Sequence, residues 1–382
     1  MINERRMADV FTALVEIDSV SRQEGRVAAR IRQLAENLGA RVLTDASAAN
    51  TGSDTGNLVL KFTGNRDVEP MLLSAHMDTV EPGKGIRPRF QNGVFTSSGD
   101  TILGADDKSA IAIIVEALQI LKEKNLPHGP IEVVLTTCEE IGLQGAKHLD
   151  FNLLGARFGY VLDTTDTEAI VTRAPAANKM TFRIHGKDAH AGVAPEKGIN
   201  AISLAARAIA SLDLGRIDPE TTCNIGTIEG GVATNIIPSL VTMHGEVRSH
   251  DESKLERLTR RIVAAFQQAV EGYEPADASA GRARLESEVE TDFFATHIPE
   301  DHRVVVLARR AAAALDRKLA LRTTGGGSDA NIFFKQGIIT GVLGTGMQDM
   351  HTVRESIRID HMTRTAELLL GIIQLHAENG SV

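Results

Sequence analysis

Apolar and polar positions in the first part of the chain follow two alternating periods. Apolar residues recur every three to four positions over 4–18 and 22–38, which predicts two amphipathic helices, the second closed by Gly39. Near-continuous apolar runs at "NLVLKF" (57–62), "PMLLSAH" (70–76), "IEVVLTT" (131–137) and "FGYVLD" (158–163) read as buried strands. Between them, "DDKSAIAIIVEALQILKEK" (106–124) is a strong helix pattern. Asp106 and Asp107 are expected at its start, where negative charge suits the helix dipole. Strands alternating with helices predict an α/β fold with a mostly parallel sheet between helices.

The period changes after about Ala174. "NKMTFRIHG" alternates as a half-exposed strand, 198–212 has helical period, and "TTCNIGTIEGG" and "SLVTMHGEVRS" alternate again. A long helix over 252–272 precedes "RARLESEVE" (282–290). The order β-α-β-β-α-β is the split pattern of a ferredoxin-like module, so residues 175–290 read as an inserted α+β domain. Helices at 301–316, 328–335 and 360–376 and a strand at 338–343 return to the first domain, which then comprises 1–174 and 291–382.

A chain of 382 residues with 42% apolar and 24% charged residues suits two soluble globular domains. The formal net charge of −9 argues against nucleic acid or an anionic membrane surface as the main partner. The amphipathic start lacks the features of a signal peptide, and no apolar run reaches the roughly 18 residues of a membrane span. Cys138 and Cys223 are too few for a disulfide framework, so a cytoplasmic protein is expected.

Acids and histidines gather at the ends of the expected strands. His76 and Asp78 follow one strand, Asp106 and Asp107 precede the long helix, Glu139 and Glu140 follow "VVLTTC", and Asp163 ends "GYVLD". His351 lies in "GMQDMHTVRES" after the strand at 338–343. In a doubly wound sheet such positions converge on the carboxyl edge. A single Asp at a helix start is ordinarily a cap, and a Glu-Glu pair a solvated face. Many carboxylates at one edge would repel one another by several kcal/mol without a cation among them. Two histidines with several carboxylates suit zinc, with manganese or cobalt as substitutes.

The ordered set "SAHMDTV", "LGADDKSA", "TTCEEIGLQGAK", "VLD", "DAHAGVAPEKGINAI", "GGVATNIIP", "EVRSHD", "GGGSDANIF" and "GMQDMHTVRE" resembles the di-zinc exopeptidase and aminoacylase family, most of all its peptidase T-like branch. The resemblance spans nearly the whole chain. It implies that His76, Asp106 and Asp163 bind one zinc and that Asp106, Glu140 and His351 bind the other, with Asp106 as the bridge. It further implies that Asp78 supports His76, that Glu139 is the general base, and that the Asp106–Asp107 peptide is cis. His190 would stabilise the oxyanion, often of the partner subunit's site, which implies a homodimer through the inserted domain. Asn235 and Arg248 match positions that touch substrate, and Arg248 suits a terminal carboxylate. The glycine run 325–327 with Ser328 would let substrate approach backbone amides at a helix start, which makes Gly327 a binding candidate.

The segment between Asp78 and Asp106 is shorter than in tripeptidase T, which affects the wall that reads the substrate's amino end. The expected activity is aminopeptidase action on small peptides. Removal of an acyl or carbamoyl group from an N-acyl amino acid is the alternative. A non-catalytic relative would lack Glu139 or a ligand, and both are present. A serine hydrolase would need a Gly-x-Ser-x-Gly elbow, which Ser74, Ser97 and Ser98 lack.

Overall fold

The computed structural model describes residues 2–378, which divide into two compact units. The first contains the chain up to Arg173, His297–Thr324 and Ser328 onward; the second contains Ala174–Thr296 and Gly325–Gly327.

Among the described residues the first unit is built on a nine-stranded sheet. Met71–His76 runs parallel to both Ile131–Thr136 and Phe158–Val161, and Phe158–Val161 runs parallel to Ile339–Leu343. Leu58–Phe62 and Arg41–Thr44 extend one side antiparallel. On the other side Ala169–Ala174 is antiparallel to Ile339–Leu343, with Ala320–Thr323 parallel beside it.

The two central strands are buried at every position because both sheet faces are covered. Leu73, Ala75, Val133 and Leu135 pack in one cluster with Phe11, Ile31, Ile113 and Leu369 from the helices. Their alternate neighbours Leu72, Val134, Val161 and Val342 pack in another with Phe333 and Leu154. Each of these side chains other than Ala75 contributes about 1.5–3 kcal/mol on burial. The four mutually parallel strands end at one edge, which therefore receives His76, the Glu139–Glu140 turn and Asp163 together.

Some local expectations change. The first helix is Glu4–Val15 and the second Gly25–Leu38, shorter than their apolar periods, with Arg22 at φ 75° in the turn between them. Asp106 (ψ 103°) and Asp107 (φ −122°) are not helical, so regular helix begins after the acid pair, which is buried rather than capping a dipole. The segment between Asp78 and Asp106 contains the hairpin Pro88–Gln91 and Val94–Ser97, turned by Asn92 and Gly93 at positive φ. Asn-Gly is the usual two-residue hairpin signal. Ser356–Arg358 joins it as a third strand.

The second unit is an antiparallel sheet in the order Gly215–Asp218, Thr221–Gly230, Leu240–Ser249, Ala176–His185, Arg284–Phe293. Helices Ala201–Ala210 and Glu252–Glu271 bury Leu204, Ile262 and Phe266 against Phe182, Ile184 and Met243, and the rings of Phe182 and Phe266 stack at 4.0 Å. The β-α-β-β-α-β order is present. The added edge strand Gly215–Asp218 is mostly exposed and so carries no apolar signature. Among the described residues no helix is long and apolar enough to cross a membrane.

Candidate metal centre

His76 ends a wholly buried strand. Its Nδ1 lies 2.9 Å from the backbone carbonyl of Asp78, which can only accept, so Nδ1 carries a proton and Nε2 is the nitrogen turned toward the cluster. That Nε2 is 3.0 Å from Asp106 Oδ1. The other oxygen of Asp106, Oδ2, is 3.2 Å from His351 Nε2, and His351 Nε2 is 3.0 Å from Glu140 Oε2. Asp106 thus stands between the two imidazoles with one oxygen toward each. The Asp106–Asp107 peptide is cis.

Two sets of groups place their ligand atoms within 4.8 Å of one another: His76 with Asp106 and Glu140, and His76 with Asp107 and Asp163. Asp107, which the motif reading did not assign, therefore belongs to the cluster. Its Oδ2 accepts the backbone N–H of His76 at 3.2 Å, while Oδ1 is buried without a hydrogen-bond partner. Glu140 Oε1 is buried and unpartnered as well.

The electrostatics follow from this crowding. Burial pushes Asp107, Asp163 and Glu139 well above the usual carboxylate range, and neighbouring acids add to it. For Asp106 burial acts in the same sense, but hydrogen bonds from His351 and His76 win and hold it low. Hydrogen bonds to Asp106 and Glu140 push His351 up to about 10. Buried Lys108 donates to the Ile17 carbonyl at 2.8 Å, and burial pushes its ammonium down to about 7. Two imidazole nitrogens, a surplus of buried carboxylates and orphaned oxygens on Glu140 and Asp107 form a donor set that fits divalent cations.

The Glu139–Glu140 turn is held from behind. Asp78 accepts the N–H of Glu139 (2.9 Å), the N–H of Glu140 (3.2 Å) and the hydroxyl of Ser21 (2.6 Å). Its carboxylate is 3.4 Å from His76 Nδ1, farther than its own carbonyl. Support of His76 by Asp78 is thus mainly through the backbone, and the carboxylate serves the glutamate turn. Cys138, at φ 54°, is fixed by buried Glu24, which accepts its N–H at 2.9 Å. Burial holds Asp329 up to about 6, and it accepts the hydroxyl of Thr136 at 2.5 Å. No local pattern marked Glu24, and Asp329 lies in "GGGSDANIF" without a role having been assigned to it. Only the spacing of Asp107 beside Asp106 offered a signal.

In the second unit, His190 and Asn235 are brought together: Ala191 N–H donates to Asn235 O at 2.9 Å, and His190 bridges to Ile236. Both are exposed, and His190 Nδ1 accepts the N–H of Gly192 at 3.1 Å. Arg248 is engaged: Glu246 accepts from Nε at 3.1 Å and Nη2 at 3.0 Å, and Gly325 O accepts from Nη1 at 3.2 Å. Gly327 packs against Phe293, whose ring a Cβ at this position would meet at 2.7 Å. The Ser328 N–H is already capped by Asn331 Oδ1 at 3.0 Å, and the helix Asp329–Lys335 is short.

A mostly parallel α/β sheet thus carries an acid-histidine cluster at its carboxyl edge, and an antiparallel α+β unit interrupts the chain. Residues 57–165 match the family described as peptidase family M28, and residues 172–274 match the peptidase dimerisation domain of M20 enzymes. The chain is 41% identical to YqjE of Bacillus subtilis (strain 168), an uncharacterised protein, over 98% of this chain and 99% of that one. Aminopeptidase PepT from Bacillus cereus ATCC 10987 has 41% identity and a TM-score of 0.88, covering 98% of this chain and 99% of that one. A tripeptidase from Staphylococcus aureus has 36% identity and a TM-score of 0.92, covering 99% and 100%. The chain belongs to the M20/M28 family of di-metal peptidases and is a metallopeptidase of the peptidase T-like type.

Proposed function

We propose that this protein is a zinc-dependent aminopeptidase of small peptides, working in the cytoplasm as a homodimer. The observation that carries the reading is Asp106 between His76 and His351, with Glu140 against His351. His76, Asp106 and Asp163 would hold one zinc and Asp106, Glu140 and His351 the other, with manganese or cobalt as substitutes. Bound there, the ions supply a lowered water pKa and a polarised scissile carbonyl.

Glu139 takes the proton of the attacking water and passes it to the leaving amine, a contribution on the order of 10²–10⁴-fold. Burial, with the charges of Asp163 and Asp329, raises its proton affinity and so favours uptake. Asp78 keeps Glu139 and Glu140 on one rigid turn so that they divide the work. His190, supplied by the partner subunit, donates to the oxyanion, and Asn235 beside it contacts substrate. Arg248 takes a terminal carboxylate. The M20 dimerisation-domain match over 172–274 supports the dimer. Buried, unpaired Cys138 and Cys223 suit a reducing compartment.

The test is a panel of free and N-acetylated di- and tripeptides with N-acyl amino acids, on zinc-, manganese- and cobalt-loaded protein and a chelated control. Release of the amino-terminal residue from free peptides, lost on chelation, is expected. Preference for the N-acyl substrates moves the assignment to a deacylase, and inactivity of every loaded form overturns the reading.

A further inference from the structure

Glu355 lies four positions after His351 and is 1% exposed. Its carboxylate accepts three backbone N–H groups from a distant loop. Oε2 is 2.7 Å from both Leu103 N and Gly104 N, and Oε1 is 3.0 Å from Asp106 N. A buried carboxylate paired only with amides is costly unless the donors are rigidly placed. Both sides of this contact are rigid. Gln348 and Ser356 pair at 2.9 and 3.1 Å to close the His351 loop, and Ser356–Arg358 is stitched to Val94–Ser97. The receiving loop bends at Gly104 (φ 76°) into the non-helical pair Asp106 and Asp107.

We infer that Glu355 is a positioning residue of the metal centre: one loop delivers His351 and, through Glu355, fixes the backbone from which Asp106 reaches between the two histidines. The inference rests on the metallopeptidase reading above. A shift of Asp106 N would move Oδ1 and Oδ2 together and unbalance both halves of the cluster. Glu355 touches neither imidazole in the contacts that hold it and acts through Asp106.

The experiment titrates metal-free full-length protein with cobalt(II), by calorimetry and by the visible d–d spectrum, for wild type, Glu355→Gln, Glu355→Asp and Tyr160→Phe. The last removes a buried hydrogen bond to Val304 O elsewhere in the same unit and matches a general loss of stability. Expected for Glu355→Gln is a 10–100-fold weaker affinity with a changed spectrum. Glu355→Asp keeps the charge and recovers part of the affinity, and Tyr160→Phe matches wild type in both readouts. Wild-type affinity and spectrum in Glu355→Gln overturn the inference, as does an equal loss in Tyr160→Phe. Failure of both Glu355 variants to fold assigns the residue to the fold and overturns it too. Absence of tight cobalt binding in wild type is a different result and falls on the metallopeptidase reading.

Discussion

Asp78 accepts the backbone N–H of Glu139 at 2.9 Å, joining the ends of two adjacent strands across 61 positions of chain. The same carboxylate accepts the N–H of Glu140, so one buried acid orients the turn that carries both glutamates. Asp78→Ala leaves those two amides without their acceptor. A fall in kcat of about 10²-fold is expected, with metal affinity weakened roughly 10–100-fold. Steady-state kinetics at saturating metal separates the two, and an unchanged kcat there would remove the orienting role.

Glu139 and Glu140 are adjacent and should fail differently. Glu140 sits 3.0 Å from His351 and has an orphaned buried oxygen, whereas Glu139 makes no such contact with either histidine among the described ion pairs. Glu139→Gln is expected to retain metal and lose about 10²–10⁴-fold in kcat. Glu140→Gln is expected to lose metal occupancy. Metal analysis of dialysed protein beside kcat decides it.

Arg248 is already gripped by Glu246 through Nε and Nη2. A substrate carboxylate bound there, as proposed, would compete with Glu246 for that edge. Arg248→Met is expected to raise KM for peptides with a free carboxyl end by roughly 10–100-fold, the scale of a charge-assisted hydrogen bond. Amidated peptides should be unaffected. Glu246→Gln is expected to lower KM for the free peptides. The comparison of free and amidated substrates checks both.

His376 is buried, with Nε2 2.8 Å from the Glu69 carbonyl and Nδ1 3.2 Å from Arg303 Nη2. The guanidinium can only donate, so Nδ1 is the acceptor and the ring is neutral. Burial, and then the charge of Arg303, push this histidine down to about 4. Between about pH 6.5 and 4 the unfolded chain therefore binds a proton that the folded chain does not. Stability is fully present above about pH 6.5 and falls as pH drops toward 4, with a slope approaching about 1.4 kcal/mol per pH unit. Urea unfolding of wild type and His376→Gln over that range is the check. The variant should lack this component of the slope.

Much of the site was legible in the chain because its residues follow strands. Unbroken apolar runs ending at His76, before Cys138 and at Asp163 announce buried parallel strands, and such strands deliver their next residues to one edge. The alternation in "NKMTFRIHG" and "SLVTMHGEVRS" likewise announced a one-sided sheet, because one face meets helices and the other water. The helix start was misread at Asp106 because acids before an apolar period look like dipole partners, whereas here they turn inward. The hairpin at 88–97 has one local mark, Asn92-Gly93, because its strands are short and mostly exposed or half-buried and so lack an apolar period.

What the sequence determined by itself was most of the central elements, the class of fold and the principal metal candidates, since local period and residue type report which face is buried. What only the tertiary structure decided was partnership. Glu355 meets Leu103 from 252 positions away, and Glu24 meets Cys138 from 114, because sheet register and loop closure bring them together. Arg248 turns to Glu246 and Gly327 to Phe293 by side-chain packing. A hydrogen bond between a buried carboxylate and a remote amide imposes no period on either segment, so it leaves no trace until the chain is folded.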